Sequence, residues 1–495
     1  MFTRREVLIS GMGLAALAGL STGVGGGVRA SEGRVRHEVG SPEGKAMLEL
    51  YREAVKLMRD EAKFPRHDPR SWKFQANIHW VHPDDDSEEA LQAIFSTTGL
   101  SPDEAEKVLR HRALAIGATS RTWSTCQHVD AVEYYFLGWH RLYLWHFEQI
   151  VSSLVGQDFA LPYWDYGKNG SSEHRALPIE FRESIGGSQA ANPLWYEHRN
   201  PEMNKENGAG EMDPADVSPS AAFQSAGLYL PDTRKGFNSL LNTSPHGNVH
   251  VAIGGPGEDP GMGTVPTAGR DPVFWVHHCN IDRLWEIWRR SEKGKADETT
   301  FRDEWKGATF AFSDPMGELS EMEAARALDL SSLSYDYDDL AAVVTPVGAA
   351  AASGGKIIAH LASSVPMEIV GRGGAASLEK STAIGGFDTS QAKAASVELE
   401  VRARGNPGDR FDVYLAFPKQ AQFKEKEVRV GRFNVFGATT KRDPGGATFF
   451  FSLDASNALK DIIERGLDGV TVRVSPATKQ TSSPIYLDDL KLVLN

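Results

Sequence analysis

Apolar positions three and four residues apart mark the first helix of this chain, which Ser41 and Pro42 start and which reaches about Phe64, with Leu48, Val55 and Met58 on its buried face. A second helix, over about 136–154, is rich in aromatic residues and reads as buried on most sides. The third opens at Asp271, an N-cap type, with Pro272 suited to the first helical position, and extends to about Arg290. Ser244 and Pro245 form another cap and first-turn pair. Residues 84–118 are charged and helix-prone and read as a surface excursion, while 186–227 lack periodicity and predict long surface loops. From Lys356 the period changes to two, with β-branched runs at 396–401, 410–417, 427–433, 447–453, 470–474 and 485–494. The pattern predicts a mainly α domain on a central helical bundle, residues 31–344, followed by an all-β sandwich, residues 356–495. The Ala, Ser and Gly run at 345–355 reads as the linker between them.

Composition changes the picture at the N-terminus first. Thr3-Arg4-Arg5-Glu6-Val7-Leu8 precedes an apolar run over 7–20 and a small-residue stretch ending Val28-Arg29-Ala30, so residues 1–30 read as a twin-arginine export signal. That run is too short to span a bilayer comfortably, and no later run suggests a membrane span. The expected location is periplasmic or secreted. The net charge is −13, and without residues 1–30 it is 50 basic against 65 acidic residues, or −15, which disfavours nucleic acid as a partner. Cys126 and Cys279 are the only cysteines, too few for a disulfide framework in an oxidising compartment.

The candidate chemistry is carried by histidines. On the third helix Phe274, His278 and Asp282 stand four residues apart and share one face, placing an imidazole between an aromatic ring and a carboxylate. His246 and His250 lie one turn apart, and with His278 they make a three-imidazole site. A chance i, i+4 pair is the alternative in a chain with 15 histidines. His277 should point about 100° away from His278 and should not bind the same ion. All-imidazole donors suit copper, zinc or nickel and argue against magnesium or calcium, and spacing alone does not choose among the three.

The stretch Asp271 to Asp282 satisfies D-P-x-F-x-x-x-H-x-x-x-D, which resembles the second copper signature of the tyrosinase, catechol oxidase and hemocyanin families, the type 3 copper proteins. Phe136-Leu137-Gly138-Trp139-His140-Arg141, with Glu148 beyond it, resembles the first copper signature, and Leu161-Pro162-Tyr163-Trp164-Asp165-Tyr166 a segment typical of the family. The resemblance implies two copper ions per chain, one on His79, His128 and His140 and the other on His246, His250 and His278. His79 ends a stretch similar to the place where bacterial and plant members put their first ligand, with His82 as the nearby alternative. Cys126-Gln127-His128 resembles the fungal motif in which cysteine sulfur is linked to the second copper A histidine, implying a Cys126–His128 thioether. Eleven residues separate His128 from His140, more than the family spacing, so 129–135 must bulge or extend the turn.

Phe274 and Asp282 take the positions of residues that support the third copper B ligand, and Tyr335-Asp336-Tyr337 resembles the motif closing the copper domain. Arg410-Phe411-Asp412-Val413 and Gly431-Arg432-Phe433-Asn434-Val435 are similar to the C-terminal domain of plant polyphenol oxidases, which covers the copper site by inserting a side chain. Which side chain does so is not legible. The activity implied is oxidation of catechols to ortho-quinones by O2, with a small phenol as substrate. Gly247, where monophenol-active members often carry Asn, favours diphenol oxidation; Val265, where plant enzymes place Phe, implies a wider entrance. An ortho-aminophenol oxidase and an O2 carrier of the hemocyanin kind are the alternatives, and the oligomeric state is open.

Overall fold

Ser41 starts the first helix as its chemistry dictates. Its hydroxyl accepts the Gly44 amide at 2.9 Å and Pro42 occupies the first turn of α1 (Pro42–Met58). The helix stops short of Phe64 because Asp60 turns the chain, its carbonyl taking the amides of Lys63 and Phe64 at 3.0 and 2.8 Å. The computed structural model describes residues 33–66, 68–80, 135–224, 229, 236–257, 259–297, 303–341, 356–360, 367–369, 378–383, 395–404, 409–416, 427–438, 447–464, 469–477 and 484–494. The export signal, the excursion at 84–118, the linker, His82, Cys126, His128 and the lengthened turn before His140 lie outside the described residues.

A three-residue strand, β1 (Arg34–Arg36), precedes α1, and α2 (Trp72–His79) follows it, capped by the Ser71 hydroxyl on the Phe74 amide at 3.1 Å. Next come α3 (Phe136–Val155), α4 (Asn248–Ile253) and α5 (Val273–Arg290). Every residue of α5 from Val273 to Arg289 is buried, so the amphipathic stripe of an ordinary surface helix is absent and the helix is the centre of the domain. Aromatic rings fill the space between these helices. Phe147 of α3 stacks on Trp275 of α5 at 3.7 Å, Trp72 and Tyr51 pack edgewise around Phe147, and the Tyr51 hydroxyl donates to the Pro272 carbonyl at 3.0 Å.

Two short pairings complete the helical domain. β2 (Thr309–Ser313) and β3 (Leu319–Glu323) form a hairpin that the sequence pattern did not suggest, and β4 (Tyr335–Tyr337) pairs parallel with β1. The β1–β4 pairing delivers Arg36 to a buried polar centre. Arg36 donates to both carboxylate oxygens of Glu148 at 2.8 and 2.9 Å and to Asp282 at 2.9 Å. Arg141 reaches Asp282 at 2.5 Å, and the hydroxyls of Tyr335 and Tyr337 donate to the same carboxylate at 2.7 and 2.6 Å. Glu148 also accepts the Leu161 amide at 2.7 Å, fixing the segment after α3.

The C-terminal part is the predicted sandwich, with additions. Its strands are β5 (Lys356–His360), β6 (Met367–Ile369), β7 (Leu378–Ala383), β8 (Ala395–Ala403), β9 (Phe411–Ala416), β10 (Glu427–Phe433) and β11 (Ala447–Asp454). A helix, α6 (Ser456–Glu464), then precedes β12 (Gly469–Pro476) and β13 (Ile485–Leu494). One sheet runs β10-β9-β12-β7 and the other β11-β8-β13-β5 with β6 also on β13, all antiparallel. Arg34 to Asn495 form one compact unit, so helices and sandwich are packed together. The loops expected at 186–227 supply part of that contact: Asp216 takes Arg410 at 2.6 Å and Arg432 at 3.3 Å, and Asp213 takes Arg429 at 2.8 and 2.6 Å.

Candidate metal centre

Four of the five described candidate ligands are aimed by a backbone carbonyl; the fifth, His278, has no hydrogen-bond partner for its buried Nδ1 among the described residues. His79 ends α2, and its Nδ1 donates to the Val265 carbonyl at 3.2 Å. His140, on the first turns of α3, donates Nδ1 to Phe136 one turn back at 2.8 Å. His246 does the same to Asn242 at 3.0 Å, and His250 of α4 donates to the Met262 carbonyl at 2.8 Å. A ring whose Nδ1–H is committed to a carbonyl presents the Nε2 lone pair, so four imidazoles are set in the tautomer a metal requires. Ser244 sits in extended geometry (φ −145°, ψ 125°) before Pro245 and breaks the helix there, but its hydroxyl donates to the Ser218 carbonyl at 3.0 Å and caps no backbone amide, unlike the expected cap role.

The rings converge. His140 and His278 stack at 4.3 Å, His79 lies 5.5 Å from His140, and His246 lies 4.6 Å from His250 and 4.9 Å from His278. The Nε2 atoms of His250 and His278 stand 3.3 Å apart. Burial pulls His140 and His250 down to about 3 and His278 well below its ordinary value, so the rings are neutral donors at physiological pH. Phe274 packs against rings of both groups, 4.7 Å from the His79 ring and 4.2 Å from that of His278, as its position one turn before His278 implied. All-imidazole, desolvated and neutral, this donor set fits a soft to borderline transition ion such as copper.

Residues 69–291 match the family model of the common central domain of tyrosinase. A tyrosinase of Hahella sp. (strain CCB-MM4) is 31% identical over 314 residues, 59% of this chain and 60% of that one. Residues 69–291 thus carry the common central domain of tyrosinase. The chloroplastic polyphenol oxidase of Vitis vinifera is 27% identical over 320 residues, 60% of this chain and 46% of the relative, so the chain spans roughly half the length of these curated relatives. Latent apple tyrosinase shares the fold, with a TM-score of 0.59 at 19% identity over 93% of this chain and 97% of that chain. Tyrosinases are dicopper proteins, and His246, His250, His277 and His278 here form a buried cluster that could hold a metal ion.

Three residues stand differently from what the sequence suggested. Asp282 spends its carboxylate on Arg36, Arg141, Tyr335 and Tyr337, and no described bond joins it to His278. Val265, expected at an entrance, is 1% exposed and acts through its carbonyl on His79. His277, expected to face elsewhere, brings a ring nitrogen within 4.8 Å of those of His246, His250 and His278, and its ring lies near-parallel to His246 at 5.5 Å. The 100° step along the helix is real, but α4 and the His246 turn wrap far enough around α5 to meet both histidines.

The covering side chain is Phe436. Its ring stacks on His250 at 4.3 Å and meets His246 edgewise at 5.7 Å. Asn434 donates to Asn248 at 2.6 Å, and a Cβ on Gly247 would stand 2.8 Å from the Asn434 amide oxygen. Gly247 therefore has a packing role against the sandwich. Phe436 was invisible in the sequence because it sits on an irregular turn after β10, outside any period. Cys279 is a free, fully buried thiol whose pKa burial raises to about 12, donating to the Leu161 carbonyl at 3.3 Å.

Proposed function

We propose that this protein is a copper-dependent phenol oxidase that converts ortho-diphenols to ortho-quinones with O2, held in a latent form by its C-terminal sandwich. The observation that carries the reading is the set of four imidazoles whose Nδ1 atoms are tied to backbone carbonyls while the rings converge with His278 in a buried space. His79, His140 and, outside the described residues, His128 would hold one copper, and His246, His250 and His278 the other. Bound there, two copper ions would bind O2 and relay to it the electrons given up by the diphenol. The chain's own share is orientation and exclusion of water: Phe274 packs against rings of both ligand groups, and the carbonyls of Val265, Phe136, Asn242 and Met262 fix ring direction.

Phe436 occupies the face of His250 that a phenol ring would use, which supports latency. Diphenol oxidation is favoured over monophenol hydroxylation because Gly247 offers no side-chain amide beside His246 and Asn248 is bonded to Asn434. Oxygen uptake by the copper-loaded chain and its Phe436→Ala variant, with catechol and with phenol, tests both points. Uptake by the variant with catechol alone is expected. No uptake with catechol by the variant, copper being bound, overturns the reading. The twin-arginine export of residues 1–30 belongs to the same proposal, and Arg4→Lys with Arg5→Lys should leave the full-length precursor inside the cell.

A further inference from the structure

A cavity of about 490 Å³ lies away from the histidines, between the end of α1, the start of α2 and the loop around Tyr196. That is the size of a small-molecule site. Its aromatic walls are Phe64, Trp72, Trp195 and Tyr196. Arg59 stands on one of them, with its guanidinium carbon 5.3 Å from the centre of the Trp72 ring. The neighbouring charges are paired: Lys73 holds Glu61 at 2.8 Å, and His198 holds Glu197 at 3.2 Å with Asp259 at 3.8 Å.

Arg59 differs. Among the described residues its guanidinium meets the Trp72 face and no carboxylate or carbonyl. Asp271, which acts on it electrostatically, is committed to Arg199 through two bonds of 2.8 and 2.7 Å. A part-buried guanidinium with five donors and no acceptor is costly unless something else supplies the acceptor. The fork of Arg59 matches a carboxylate and the flat walls match an aromatic ring, while the remaining lining charges are mixed, Arg66, Lys73 and Arg270 against Glu61, Glu197 and Asp259.

We propose that this pocket is a binding site for a small aromatic monocarboxylate, its carboxylate on Arg59 and its ring against Trp72 and Tyr196. The site has a direct route to the histidines. Trp72 opens α2, which ends on His79, and its indole N–H donates at 3.0 Å to the carbonyl of Arg270, beside the start of the helix bearing His278. A ligand here bears on the base of both ligand-carrying helices.

The test is calorimetric titration of the intact copper-loaded chain with 2-naphthoate. One saturable site is expected, unaffected by saturating tropolone, which goes to copper. Binding should be about tenfold or more weaker in Arg59→Met and for the neutral 2-naphthamide, as loss of a charge-assisted pair predicts. Arg59→Met should also melt at or above the wild-type temperature, because it removes a cation without a partner. Equal affinity in wild type and Arg59→Met, displacement by tropolone, or no binding at about 1 mM would each overturn the proposal. An Arg59→Met chain that fails to fold or melts lower would do the same, since Arg59 would then serve the fold.

Discussion

Asp282→Asn separates two roles that the sequence motif could not. In the structure the carboxylate is the shared acceptor of Arg36 at 2.9 Å, Arg141 at 2.5 Å and two tyrosine hydroxyls, all fully buried. Burial alone would push its pKa up, but Arg141 and Arg36, with the bonds from Tyr337 and Arg141, hold it below the ordinary carboxylate value. The amide is nearly isosteric yet leaves two buried guanidiniums short of a counter-charge. Arg36 keeps Glu148, and Arg141 keeps Glu286 at 3.2 Å and the Ala327 carbonyl at 2.8 Å, so the cost belongs at the lower end of the range for breaking a buried pair, about 3 kcal/mol. That is on the order of a hundredfold in the folded-to-unfolded ratio. Urea unfolding of the copper-free chain, followed by tryptophan fluorescence, measures it. Because the folded pKa is depressed, the wild-type contribution is fully present above the unfolded value near about 3.9 and is lost as pH falls through the folded one; the gap between wild type and variant should be flat from about pH 5 to 8 and close only in acid. An Asp282→Asn chain with wild-type urea stability but weakened copper binding would refute this account and return the carboxylate to a role behind His278.

The other expectations concern the site and its cover. His278→Ala should lower bound copper from two ions to one per chain by atomic absorption, and retention of both would sink the ligand set. Phe436→Ala should raise catechol turnover by about tenfold or more, as loss of a stacked aromatic contact frees the face of His250. Gly247→Ala should act in the same direction, since its Cβ would stand 2.8 Å from the Asn434 amide oxygen; unchanged latency would show that Asn434 shifts aside at little cost. Cys126→Ser should abolish the small mass deficit of a thioether in the intact chain while leaving its circular dichroism unchanged.

Local rules carried much of this molecule. Ser41-Pro42 and Ser71 cap their helices through the bonds their chemistry favours, the 485–494 and 427–433 strands fall where period two placed them, and a four-residue step put Phe274 beside His278. These outcomes depend on residues within a turn or two of one another, which the sequence displays directly. Interactions across the chain were not displayed. Asp282 looked like a metal-site residue because its spacing from His278 is visible, whereas Arg36, 246 positions away, claims it only once β1 pairs with β4. His277 faces away from His278 on an isolated helix and meets His246 and His250 only because separate segments wrap around α5. Phe436 and Asn434 gain their meaning from the docking of the sandwich, and Arg59 from the aromatic walls that three distant segments build around it. Periodicity and capping are encoded within a few residues; the partner of a buried charge or ring is chosen by packing, which brings together positions that no local pattern relates.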